Sequence, residues 1–142
     1  GSKMVFSGEL EKHIWQMFLK QQETRLTVTA DGRVMVMLHP RRRQMITLER
    51  EDRYLTATTV VDQAITDEVL PAALTFMGRQ KFPLYALSLR QDAYFILART
   101  GVWPATDSEQ ELYDLTIGLA ETAVALSLEL ERCLLRVLSS SR

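Results

Sequence analysis

The 142-residue chain has one cysteine, Cys133, and two histidines, His13 and His39. A lone cysteine excludes an intramolecular disulfide and suits a reducing compartment. Neither histidine comes with a recognisable set of catalytic or ligand partners, so both read as surface residues rather than as a zinc site or a catalytic pair. The six glycines stand at scattered single positions, which excludes a glycine-rich phosphate cradle. Charge of one sign is also scarce: 17 Lys and Arg against 18 Asp and Glu give a formal net charge of −1. That offers no field to gather nucleic acid or an anionic membrane. No apolar run approaches the ~18 residues of a membrane span. No charged-then-apolar leader opens the chain, so the cytoplasm is the expected compartment. No motif asks for a cofactor or a metal.

What is present is apolar material enough for one domain. Residues are 46% hydrophobic and 25% charged, and a chain of this length buries roughly 68–70% of its unfolded surface. Gly1-Ser2 reads as a tag-cleavage scar with Lys3 beside it, leaving residues 4–142 as a single domain. There is no internal repeat, low-complexity tract or long linker.

The best-defined stretch is Arg25 to Leu48. Two extended runs, Arg25–Ala30 and Arg33–Leu38, flank Asp31-Gly32, the pair a type I′ hairpin turn favours because it needs positive φ. Met45 to Leu48 makes a third strand after His39-Pro40 and the Arg41-Arg42-Arg43 turn. Tyr54 to Val60 either extends that strand past a charged bend or forms a short one of its own. Before the hairpin, Leu10, Ile14, Trp15, Met17 and Phe18 recur at helical spacing, predicting a helix over Gly8 to Gln22. A second helix opens near Asp67-Glu68, tolerates Pro71 in its first turn, and ends at Gly78. Leu84–Arg90 and Ala93–Arg99 form a second hairpin. Thr106 and Glu109 have capping-box spacing, and the last helix runs from there to about Leu138. Its stripe of Leu112, Leu115, Leu119, Ala123, Leu126, Leu130 and Leu134 widens beyond Ala123. The expected fold is α+β, an antiparallel twisted sheet of about five strands with three helices, in the order α-β-β-β-α-β-β-α.

With the first three strands as neighbours, Met35, Met37 and Met45 are expected to share a face, and thioethers adapt to varied apolar partners. Three helices, one of them short, are little to cover five strands, so some apolar surface is left for a partner. Arg41 to Arg43 reads as a solvated turn balanced by Glu49, Glu51 and Asp52. Cys133 reads as a small hydrophobe on a helix face.

The element order over Gly8 to Leu138, with an amphipathic helix before the Asp-Gly hairpin and a capped last helix, resembles the class I chaperones of bacterial type III secretion, the Tir-chaperone or Syc kind. The resemblance implies a non-enzymatic cytoplasmic homodimer, associated with virulence, that holds the N-terminal region of a secreted effector extended and secretion-competent. Its dimer would pair through the middle helix and adjacent strand, here Leu70, Leu74, Met77, Leu84, Tyr85 and Leu87. Its client would lie along Trp15, Phe18, Met35, Met37 and Met45. Another α+β interaction adaptor, or a subunit of a heterodimer, is the alternative; neither nucleic acid nor membrane insertion is expected.

Overall fold

The computed structural model describes residues 26–28, 34–38, 44–80, 85–89, 94–103, 105 and 108–140, with 26–28, 34–38 and 85–89 described as backbone. Strands β1 (Leu26–Val28), β2 (Val34–Leu38), β3 (Met45–Glu51), β4 (Tyr54–Ala64), β5 (Tyr85–Leu89) and β6 (Tyr94–Val102) form one sheet in the order β1-β2-β3-β4-β6-β5. Every pairing is antiparallel. Helix α1 (Leu70–Gly78) joins β4 to β5, and helix α2 (Glu109–Ser140) follows β6. The α+β class with an antiparallel sheet is thus the fold. The helix expected over residues 8–22 lies outside the described residues.

The expected five strands are six. Tyr54–Ala64 is a separate 11-residue strand, and Glu51 pairs with Tyr54 across a two-residue turn. Asp52 makes that reversal by taking φ 56°, a left-handed backbone that Asp accepts more readily than most side chains. Arg50 Nε donates to the Asp52 carbonyl at 3.1 Å and the Trp103 amide donates to the Arg53 carbonyl at 2.6 Å, so the turn is tied to the end of β6. Arg50 also lies over the Trp103 ring, 5.0 Å from its centroid. Four strands, not three, therefore precede the short helix. At the other end, β1 and β2 pair with Val28 opposite Met35; the turn expected at 31–32 lies outside the described residues.

Strand alternation divides the sheet cleanly. Ile46, Leu48, Leu55, Ala57, Val61, Phe95 and Leu97 are fully buried on an inner face covered by α2. The N-terminal half of α2 brings Leu112, Leu119, Ala120, Ala123 and Val124 onto Ile46, Leu48, Leu55 and Ala57. Its C-terminal half brings Leu126, Leu130 and Leu134 onto Val61, Phe95 and Leu97, together with Val69 and Ala73 from α1 and the turn before it. At about 1.5 Å per residue, the 32 residues of α2 span ~48 Å, which is why one helix serves both clusters. Gly101 permits its approach, since a Cβ there would stand 3.2 Å from Leu119 Cδ1.

The helix starts differ from the sequence expectation for local reasons. The Ser108 hydroxyl accepts from the Glu111 amide at 3.2 Å at the start of α2, a Ser-x-x-Glu spacing two residues on from the expected one; Thr106 lies outside the described residues. α1 starts at Leu70 rather than Asp67, because Val69 and Leu70 both donate to the Thr66 carbonyl in a turn that precedes Pro71.

Candidate functional site

The surface that asks for an explanation is the outer face of the sheet. On β3, β4 and β6 it carries Met45, Tyr54, Val60, Tyr94 and Val102, all exposed, Met45 at 61% and Val102 at 53%. Between them Thr47, Thr56, Thr58, Ile96, Ala98 and Thr100 are half-buried. Cross-strand pairing sets Thr58 between Thr47 and Ala98, and Thr56 beside Thr100. The Thr56 and Thr100 hydroxyls share a 3.0 Å hydrogen bond, which satisfies part of their polarity within the sheet and leaves their methyls to the surface. Glu49, Glu51 and Asp62 are the exposed acids of the same face. Neither described helix lies over it; both pack on the other side.

Of the five residues expected to meet a client, Trp15 and Phe18 lie outside the described residues. Met35 and Met37 take register positions opposite Leu48 and Ile46, whereas Met45 stands opposite Leu38. With side chains alternating along a strand, the three methionines do not occupy one face. Adjacent pairing was expected correctly, but the odd number of residues from Met37 to its partner Ile46 puts Met45 on the opposite parity. Met45 is the member placed on the open outer face.

The residues expected at a twofold contact are likewise divided. Leu84 lies outside the described residues, and Tyr85 and Leu87 belong to the edge strand β5, where they pair with Arg99 and Leu97 of β6. On α1, Leu74 is 62% exposed, while Leu70 and Met77 are half-buried and pack on the chain's own second core cluster with Phe76. Ala73, at 0% exposure, is the residue that seats the helix. Leu74 thus stands on the open side of α1, beside an edge strand whose outer backbone groups have no strand partner among the described residues.

Outside these surfaces an open depression of about 580 Å³ lies between α1 and the C-terminal end of α2; Glu68, Arg79, Cys133, Arg136, Val137 and Ser140 line it. Cys133 is half-buried there rather than wholly in the core. Arg79 is the residue that follows the end of α1, and Arg136 lies one turn before the last turn of α2. Among the described residues no group of His, Cys, Asp and Glu could hold a metal ion, and no helix is long and apolar enough to cross a membrane.

Sequence reasoning missed Tyr54, Val60, Tyr94 and Val102. A signal was available in the Tyr54–Val61 run, where Leu55, Ala57 and Val61 alternate with Tyr54, Thr56, Thr58 and Val60. Both sets are good strand formers, so alternation marked the two faces without saying which one a helix would take.

Comparison with known proteins bears on the fold. The chain is similar to the crystal structure of YbjN, a proposed transcription regulator from E. coli, with a TM-score of 0.59 and 8% sequence identity, over 90% of this chain and 93% of that one. At that identity the likeness is one of fold. No family model matches the sequence, and no curated protein matches it.

Proposed function

We propose that this protein is a non-enzymatic protein-binding module of the secretion-chaperone kind. In this reading it works in the cytoplasm as a homodimer, binds the N-terminal region of a type III secreted effector, and keeps that region secretion-competent. The observation that carries the reading is the outer sheet face, where Met45, Tyr54, Val60, Tyr94 and Val102 remain exposed although the chain has a complete core on the other side. Exposed apolar side chains gathered on one sheet face favour a docking surface over a solvated one. Leu74, on the open side of α1, supports the twofold contact.

The fourth strand before the short helix is a departure from the secretion-chaperone order, and it favours keeping the broader adaptor or heterodimer-subunit reading beside the specific one. For transcription regulation, the role proposed for YbjN, a net charge of −1 supplies no attraction toward a phosphate backbone. The test is co-expression with the N-terminal segment of a candidate effector, followed by size-exclusion chromatography with light scattering. A dimer carrying one effector segment is the expected result. A monomer that leaves the effector insoluble defeats the reading, and a monomer made soluble by the product of a neighbouring gene selects the heterodimer.

A further inference from the structure

We infer that the outer face of the sheet binds an amphipathic helical segment no more than about 13 residues long, with Lys or Arg flanking both ends of its apolar stripe. The inference rests on the protein-binding reading above and names the chemistry of what is bound.

Charge decides the partner. The charged side chains that β3 and β4 place on this face are all acidic, Glu49 and Glu51 toward one end and Asp62 toward the other. β6 adds none. On the same parity, the register positions of β2 (Val34, Val36 and Leu38) and of β5 (Ala86 and Ser88) add none either. Arg53, from the β3–β4 turn, lies at the rim over the Tyr54 ring, 5.6 Å from its centroid. Among the described residues, the middle of the face is apolar and threonine-rich, and each end carries exposed carboxylates, with Arg53 at the rim of one end.

Length follows from the register. Glu49 pairs with Thr56, and Asp62 lies six residues further along the same strand. At ~3.3 Å per residue that separation is at most about 20 Å, because the register of β4 against β6 shifts between Val60 and Ala64, and a helix covers it in no more than about 13 residues. An extended segment would gain its backbone hydrogen bonds at a sheet edge and not on a face; a face is covered by a helix or another sheet. A second copy laid on this face about a twofold axis would set acid against acid. The helical, basic-ended segment is the occupant that meets all three conditions.

The probe is a fluorescein-labelled 16-residue peptide with leucines at i, i+3, i+4 and i+7 repeats and two lysines at each end. A control peptide carries glutamates in place of the lysines. Both are titrated into the full chain by fluorescence anisotropy at low and high salt. The lysine peptide is expected to bind about tenfold or more tighter than the control, with a preference that shrinks as salt screens it. The triple variant E49Q/E51Q/D62N, altered only at exposed positions, is expected to lose most of that preference while keeping the wild-type Tm. Equal binding of the two peptides, absence of binding, or an unaffected triple variant overturns the inference. Resistance of Glu49, Glu51 and Asp62 to carbodiimide labelling in the free chain overturns it too, because the face would then be covered already. If lysine-peptide binding survives the triple variant but is lost in Leu74→Asp, this face is wrong and the protein-binding reading stands. If the co-expressed effector also fails to associate, the reading itself falls.

Discussion

The Gln44 side-chain amide reaches Ser127 across 83 residues of sequence, its Nε2 donating to the serine hydroxyl at 3.0 Å. The same nitrogen donates to Thr59 Oγ1 at 2.6 Å. Thr59 passes its own hydrogen to the Met45 carbonyl at 2.9 Å, and Ser127 passes its hydrogen to the Val124 carbonyl at 2.7 Å. Each buried hydroxyl thus accepts once and donates once, which fixes the orientation of the amide between them. An apolar interface tolerates a helix sliding along its axis; this satisfied polar contact does not. It sets where α2 sits over β3 and β4.

A double-mutant cycle on Gln44→Ala and Ser127→Ala measures that contact. Each single change is expected to cost about 1–2 kcal/mol, with a coupling of about 1 kcal/mol between them. Urea denaturation provides the values; zero coupling means the pair contributes nothing to helix placement.

Leu134 and Leu135 are neighbours in sequence with opposite fates, 0% and 47% exposed. Leu134→Ala is expected to cost about 2–5 kcal/mol through a cavity beneath α2. Leu135→Ala is expected to stay within about 0.5 kcal/mol of the parent. Comparable losses from the two would show that the helix is rotated from the orientation described.

On α1, Leu74→Asp and Met77→Asp separate association from folding. Leu74→Asp is expected to leave Tm nearly unchanged and to convert a dimer to monomer in light scattering. Met77 packs on the chain's own core, so Met77→Asp is expected to lower stability by several kcal/mol, on the order of the cost of an unpaired buried carboxylate. A Leu74→Asp variant that remains dimeric moves the twofold contact elsewhere.

The β3–β4 turn predicts its own substitutions. Asp52 at φ 56° can be replaced by Gly with a change of at most about 1 kcal/mol, whereas Asp52→Val places a β-branched residue in the left-handed region and is expected to cost about 1–2 kcal/mol or more. Thermal melts of the two variants are the measurement, and equal Tm values would mean that the turn relaxes to another form.

Ser108→Ala removes the hydroxyl that accepts from Glu111 and is expected to cost about 1 kcal/mol. Thr106→Ala serves as the control with little effect. The reverse ranking would return the cap to the earlier spacing.

How much of this is readable in the sequence depends on which signal is local. The Asp31-Gly32 flanks carried the β1–β2 register, and the leucine spacing of residues 112–134 carried α2, because both are written within a few residues of one another. The β3–β4 reversal was left open because Asp52-Arg53 lacks glycine, and the turn holds by a positive φ and by ties to Trp103, some 50 residues away. Met77 could not be told from Leu74 by periodicity, since both lie on an apolar, short helix; α2 and its cluster decided which was seated. The outer face was illegible for the same reason: Val60 and Val61 are the same residue, and only a helix far along the chain makes one core and the other surface.

The position of β6 between β4 and β5 has a consequence during synthesis. The four-stranded meander from β1 to β4 is made of short-range contacts and can form early, but its next partner, β6, is reached only after a helix and another strand have been made. The layer that shelters both halves of the sheet, α2, is translated later still. Neither described helix therefore shelters the emerging sheet for tens of residues, several seconds at ordinary elongation rates of ~5–20 residues per second. The nascent meander is the stage at which this chain is most exposed to clumping with its own kind, and a slower codon run before α2 would lengthen that hazard.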